Sequence, residues 1–159
     1  MSVDTTSNVA EQSLSVEDKR RQADMDALLD LVIEHARGRC AEVWPGGTVD
    51  VDDIHWFWNT RYTSCAGRCY FRNNPDYGGQ NVAIGLAPDY YYQFGLEGLL
   101  EVARHELIHA WQDLHPDGFD RGGHGTDFKQ WVDDLDTHRY CEHWDKQTYA
   151  ADLADETPI

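Results

Sequence analysis

Apolar side chains recur at helical spacing in three stretches of the chain. From Ser15, a predicted N-cap with Asp18 three residues on, to about Gly38, one helix face carries Met25, Leu28, Leu29, Val32, Ile33 and Ala36. From about Leu96 to Leu114, the same spacing predicts a second helix whose core stripe is Leu100, Ala103, Leu107, Ala110 and Leu114. A third helix is predicted to start near Thr126, as its N-cap, and to carry Phe128, Trp131, Val132 and Leu135.

Between the first two helices the pattern is that of strands. After a turn at Pro45, the segments containing Val49, Val51 and Ile54–Trp58, and then Arg61–Phe71 with a break near Gly67, predict strands of an antiparallel sheet. The segment 73–79 is a turn. In Val82–Leu86, bulky residues alternate with Ala83 and Gly85, which predicts a short strand whose bare face lets another backbone approach closely.

Length and composition predict one globular domain. The chain has 159 residues, of which 41% are hydrophobic and 12% aromatic. Residues 1–14 are polar and predict a flexible tail, residues 15–150 form the predicted domain, and residues 151–159 a flexible acidic end. Because there is neither a long apolar run nor a basic and apolar leader at the start, we expect no membrane association and a cytoplasmic location.

The charge is strongly acidic, with 29 acidic and 13 basic residues and a formal net charge of -16. The acidic residues are spread along the chain. Such a surface suits a cytoplasm of high ionic strength, in which salt screens the repulsion between like charges. We therefore expect a halophilic source.

The cysteines do not form a recognisable metal motif. Cys40, Cys65, Cys69 and Cys141 contain no CxxC pair, so reduced and buried thiols are expected. A shared metal or a disulfide between Cys65 and Cys69 is the alternative. Cys141, Glu142 and His143 as a second metal site are less favoured than an ordinary packed segment, because aromatic residues flank them.

The segment HELIH, from His105 to His109, lies inside the second predicted helix. Its two histidines are four residues apart, so they project from one side of the helix and can share a zinc ion. Glu106 stands beside them, where its carboxylate can take a proton from a zinc-bound water. A chance occurrence of this pattern on a helix surface is the alternative.

A catalytic zinc needs a third protein ligand. His115 has the metzincin spacing after His109, but Gln112 occupies the position where that pattern needs a glycine. His124 lies between glycines that allow an unusual turn, just before the third helix. We therefore favour His124.

HELIHAWQ followed by GHGTDFKQW resembles the SprT-like metallopeptidases, the family that includes Spartan. His124–Phe128 fits the HGxxF motif of that family, and CAGRCYF and VAIGLAP resemble its upstream segments, so the resemblance covers about Asp30 to Leu135. It implies an α+β, minimal gluzincin-like zincin domain, with a small antiparallel or mixed sheet packed on an N-terminal helix and the HExxH helix. It also implies one Zn²⁺ ion held by His105, His109 and His124, with Glu106 catalytic.

The resemblance implies a zinc metalloendopeptidase, here a halophilic archaeal-type member, acting on protein or peptide substrates that are unfolded or DNA-associated. DNA binding is implied by the family but not supported by the acidic charge. A non-catalytic zinc-binding adaptor or DNA-associated protein with the same metal site is the alternative. We expect an extended substrate to pair with Val82–Leu86. Further candidates are Tyr90, Tyr91 and Tyr92 for a substrate groove or rim packing, and Arg121 or His115 for oxyanion stabilisation.

Overall fold

The computed structural model of the chain describes residues 15–71, 82–114 and 123–138. Both predicted flexible ends and the predicted turn at 73–79 lie outside the described residues. The same holds for several predicted site residues, namely His115, Arg121, Cys141, Glu142 and His143.

Within these ranges the fold contains three α-helices and three strands. The helices are α1 (Val16–Val43), α2 (Pro88–Leu114) and α3 (Thr126–Lys129), and the strands are β1 (Ile54–Trp58), β2 (Gly67–Phe71) and β3 (Val82–Leu86). A single 3₁₀ turn, Val51–Asp53, precedes β1. The predicted α+β class and the minimal zincin-like architecture are confirmed.

The chain divides into two compact units between Leu31 and Val32. The described part of the first unit is the N-terminal portion of α1, where the Ser15 Oγ accepts a hydrogen bond from the Asp18 N–H at 3.0 Å, as expected of an N-cap. The second unit contains the rest of α1 and all the other elements. Everything that builds the candidate site belongs to this second unit.

The sheet is mixed, with the strand order β1-β3-β2. β3 runs parallel to β1 and antiparallel to β2, so the prediction of an antiparallel sheet holds for only one of the two pairs. All five residues of β3 are buried. The prediction that β3 offers a substrate an open edge is therefore wrong, because its backbone is already paired on both sides.

The two faces of β3 are covered by different elements. Its bulky residues share a face with Gly67 and Cys69 of β2, and this face packs on α2. A Cβ atom on Gly67 would lie 2.7 Å from Val102 Cγ1, so only glycine allows this approach of β2 to the helix. On the other face, aromatic side chains rather than a backbone cover Gly85, since a Cβ there would meet the ring of Phe57 and the hydroxyl of Tyr62.

α2 is longer than the predicted helix because it begins at Pro88, a residue suited to the first turn. Gly95 interrupts it with φ 74° and ψ -171°, which is why the apolar periodicity is regular only after this point. Of the helices in the described ranges, none combines the length and the hydropathy that a bilayer-spanning segment needs.

The prediction of a third helix that extends to Leu135 is mostly wrong. α3 ends at Lys129, its N-cap is Gly125 rather than Thr126, and residues 130–136 form turns. The segment is nevertheless packed, since Phe128 and Leu135 are fully buried. Trp131 joins a cluster of three indoles with Trp44 and Trp111, with ring centroids 5.2–6.5 Å apart.

Candidate metal centre

Three histidine side chains converge at the centre of the second unit. α2 supplies His105 and His109 one turn apart, and the residue before the α3 N-cap supplies His124. The Nε2 atom of His124 lies 3.2 Å from the Nε2 atoms of both helix histidines. The structure therefore brings together the three predicted ligands, and among the described residues these side chains form a group that could hold a metal ion.

The spacing of these nitrogens fits a single zinc ion. Two nitrogen ligands at about 2.0–2.1 Å from a tetrahedral zinc lie about 3.3–3.4 Å apart, close to the 3.2 Å separations in this site. Burial lowers the pKa of His105 to about 3 and that of His109 to about 4. Both imidazoles are therefore neutral at pH 7, which is the form that binds a metal.

The other nitrogen of the His105 ring is held by the backbone. Its Nδ1 lies 2.9 Å from the carbonyl oxygen of His138. Because a carbonyl can only accept, Nδ1 carries the proton and Nε2 keeps its lone pair for the metal. His138 is therefore a part of the site that the motifs did not reveal.

The His138 carbonyl is positioned by a clamp between α2 and residues 136–138. Arg104 donates from Nε and Nη2 to the Asp136 carbonyl at 3.1 and 3.0 Å, and Thr137 Oγ1 donates to the Glu101 carbonyl at 3.2 Å. Asp136 has a positive φ of 52°, which is unfavourable for a residue with a side chain. The clamp thus holds a strained turn in place beside the metal ligand.

Phe128 forms a shared apolar contact for the three ligands. Its ring centroid lies 4.8 Å from the ring centroid of each histidine, and its side chain is fully buried. The phenylalanine of the His124–Phe128 segment therefore excludes water from the back of the metal site and limits the movement of the imidazoles.

Glu106 lies on α2 beside His105 with only 4% of its surface exposed. Burial raises the pKa of Glu106 to about 8; Arg68 acts against this shift, Asp113 adds to it, and the backbone N–H of Cys69 favours the ionised form by hydrogen bonding. A cation held by the histidines would also favour the ionised form. The residue can thus exchange a proton near neutral pH, as a general base requires.

A pocket of about 180 Å³ opens next to His105. Tyr90, Phe94 and Val102 give it apolar walls, while Glu101 and His138 add polar atoms. Of the three consecutive tyrosines, only Tyr90 is buried and lines this pocket, whereas Tyr92 is 53% exposed.

Cysteines take no part in the metal-binding group of the described ranges. Cys40, Cys65 and Cys69 are free thiols, so a disulfide between Cys65 and Cys69 is not formed. Cys69 points its thiol at Asp113, with 3.7 Å between Sγ and Oδ2. Burial raises the pKa of all three thiols, which makes them poor ligands and poor nucleophiles.

The comparison with known proteins agrees with this geometry. The family model described as the SprT-like family matches residues 37–149. The matched range contains the three histidines, Glu106 and all three strands. No curated protein sequence matches the chain.

Proposed function

Because the chain belongs to the SprT-like family, we propose that it is a zinc-dependent metallopeptidase that hydrolyses peptide bonds. The observation that carries this proposal is the convergence of three imidazole nitrogens, two of them from α2, the helix that also carries the buried carboxylate of Glu106. His105, His109 and His124 would hold one zinc ion. When bound, zinc acts as a Lewis acid that polarises the scissile carbonyl and lowers the pKa of water.

Glu106 is the proposed general base. Its carboxylate accepts the proton of the attacking water and then passes a proton to the leaving amine. The low exposure of the site excludes bulk water from this proton transfer, and Phe128 and the clamp on residues 136–138 keep the imidazoles in place. These residues hold the reacting groups in a fixed geometry.

The proposed substrate is an unfolded or flexible protein segment. An extended peptide that adds a strand would lie beside an outer strand of the described sheet, since β3 is paired on both sides. Of the outer strands, β2 is next to the base, since the Cys69 N–H contacts the Glu106 carboxylate. We therefore propose that the substrate runs along β2 and places a side chain in the pocket beside His105.

The test is the Glu106→Gln variant with denatured casein as substrate. We expect it to bind one zinc ion per chain but to cleave at least about a hundredfold more slowly, because a positioned general base contributes about 10²–10⁴ to the rate. Glu97→Gln, an exposed change on the same helix, is the matched control and should keep full activity. Undiminished cleavage by Glu106→Gln would refute the assignment.

The alternative from another class is an adaptor that keeps zinc for stability. The assay separates the two functions when it is run with and without DNA, and at low and multimolar KCl. Zinc binding without cleavage under any of these conditions would favour the adaptor. Stimulation by DNA would add a DNA-associated substrate to the proposal, despite the net charge of -16.

A further inference from the structure

Gln112 is a buried polar residue that the proposed chemistry does not use. It lies on α2 three residues after His109 and has no exposed surface. Its Oε1 lies 2.7 Å from His109 Nδ1, and its Nε2 lies 3.0 Å from the Gly123 carbonyl oxygen and 3.3 Å from Asp127 Oδ2. Since a buried amide without partners is costly, these contacts fix its position.

These partners also fix the orientation of the amide. The Gly123 carbonyl and the Asp127 carboxylate can only accept hydrogen bonds, so the amide NH₂ group must face them. The amide oxygen must then face His109, and it can only accept. His109 therefore carries its proton on Nδ1 and directs the lone pair of Nε2 to the centre of the three histidines.

The same side chain also holds the loop that carries the third ligand, His124. Gly123 immediately precedes His124, and Asp127 lies in the first turn of α3 and also accepts a hydrogen bond from the Phe128 N–H at 3.0 Å. The helix that supplies two ligands and the loop that supplies the third are thus joined through one amide group.

We propose that Gln112 is a positioning residue that couples the second and third metal ligands. Its oxygen selects the metal-binding form of His109, and its nitrogen anchors the loop of His124. This inference rests on the metal site of the proposed function but not on peptidase activity, because both of its consequences can be measured without substrate.

Two variants separate the two ends of the amide. Gln112→Leu removes both, and we expect zinc binding, measured by competition with a chelator, to weaken about 10- to 100-fold, as is typical when a partner of a metal ligand is lost. Gln112→Glu keeps an oxygen that can accept from His109 but places a carboxylate against the Gly123 carbonyl and Asp127, which cannot donate to it. This variant should therefore lose the contacts to the loop of His124 and keep the contact to His109. In a His124→Ala background, Gln112→Glu should therefore cause no further loss, whereas Gln112→Leu should.

The proton position is read by nitrogen-15 NMR of the histidine rings in the zinc-free protein. We expect His109 of the parent protein and of Gln112→Glu to be protonated on Nδ1, and Gln112→Leu to populate the Nε2 form as well. Gln93→Leu, an exposed change on the same helix, should alter neither measurement.

A parent protein in which His109 is protonated on Nε2 would overturn the proposal, even if Gln112→Leu failed to fold. So would a folded Gln112→Leu variant that binds zinc within about twofold of the parent. Absence of peptidase activity with both expected results would leave this inference standing and contradict the proposed function alone.

Discussion

Replacing Arg104 by methionine should loosen the turn that presents the His138 carbonyl to His105. The guanidinium donates two hydrogen bonds to the Asp136 carbonyl and lies 3.0 Å, through Nη1, from His35 Nε2. Methionine keeps much of the aliphatic bulk but donates no hydrogen bond. The positive φ of Asp136, 52°, would then no longer be compensated.

The size of the effect follows from two opposing contributions. Hydrogen bonds from a charged donor contribute about 1.5–3 kcal/mol each, so the pair to Asp136 contributes roughly 3–6 kcal/mol. Against this stands the desolvation of a cation with 7% exposed surface, which reduces the net value. We therefore expect the two hydrogen bonds to contribute a net stabilisation of about 2–4 kcal/mol, which the variant loses. This contribution exceeds the roughly 1–2 kcal/mol that a residue in the left-handed conformation costs, so the hydrogen bonds are what holds Asp136 in it. The turn should therefore relax and move the His138 carbonyl away from His105.

Three measurements test this expectation. The thermal midpoint of the zinc-free protein should fall by about 5–15 °C, at about 2–4 °C per kcal/mol for a domain of this size. Zinc affinity should drop about 10- to 100-fold, because His105 loses the partner that orients it. The pKa of His35, which burial and then Arg104 and Arg39 hold below its ordinary value against Glu97 and Glu42, should rise.

Arg37→Met is the matched control, because Arg37 pairs with Asp52 at the surface. Solvent screens that pair, so the control should change stability little and zinc affinity not at all. An Arg104→Met variant with the zinc affinity and thermal midpoint of the parent would refute the role of the clamp. A lower midpoint with unchanged zinc affinity would mean that the clamp stabilises the fold without orienting His105.

Two further predictions concern the third ligand and the charge. His124→Ala should lower the zinc content as much as His105→Ala does, while His115→Ala should leave it near one ion per chain; zinc retention by His124→Ala would contradict the assignment. The thermal midpoint of the zinc-loaded protein should rise from low KCl to about 1 M, because the screening length falls from about 10 Å at 0.1 M to about 3 Å at 1 M and the net charge is -16. A flat or falling midpoint would exclude the halophilic adaptation.

The sequence was most informative about α2 because its chemistry depends on local spacing. Two histidines four residues apart on a helix must lie on one side of it, and the structure places His105 and His109 there. His124 was found from the glycines around it, since they allow the turn that the loop requires. Gln112 was interpreted only as the residue that stands where the metzincin pattern needs a glycine. Its role beside His109 was missed, although a polar side chain three residues after a ligand lies on the same helix face.

Long-range contacts account for what the sequence did not reveal. The apolar spacing after Thr126 predicted a longer helix, but Arg39 donates to the Asp134 carbonyl at 2.6 Å and Arg104 to that of Asp136, and these partners hold turns instead. The position of β3 in the sheet depends on which strands pair, and no local pattern encodes that choice. The roles of Arg104 and His138 were hidden for the same reason.

The cluster of Trp44, Trp111 and Trp131 gives the protein an optical reporter of its own. Trp111 lies on α2, the helix that supplies two of the three histidines, and Trp131 follows the loop that carries His124. The near-ultraviolet circular dichroism of indoles depends on fixed packing. Detachment of the His124 loop from α2 would therefore change this signal, while the far-ultraviolet signal of the helices persisted. Assembly of the site can therefore be followed spectroscopically in the unlabelled protein.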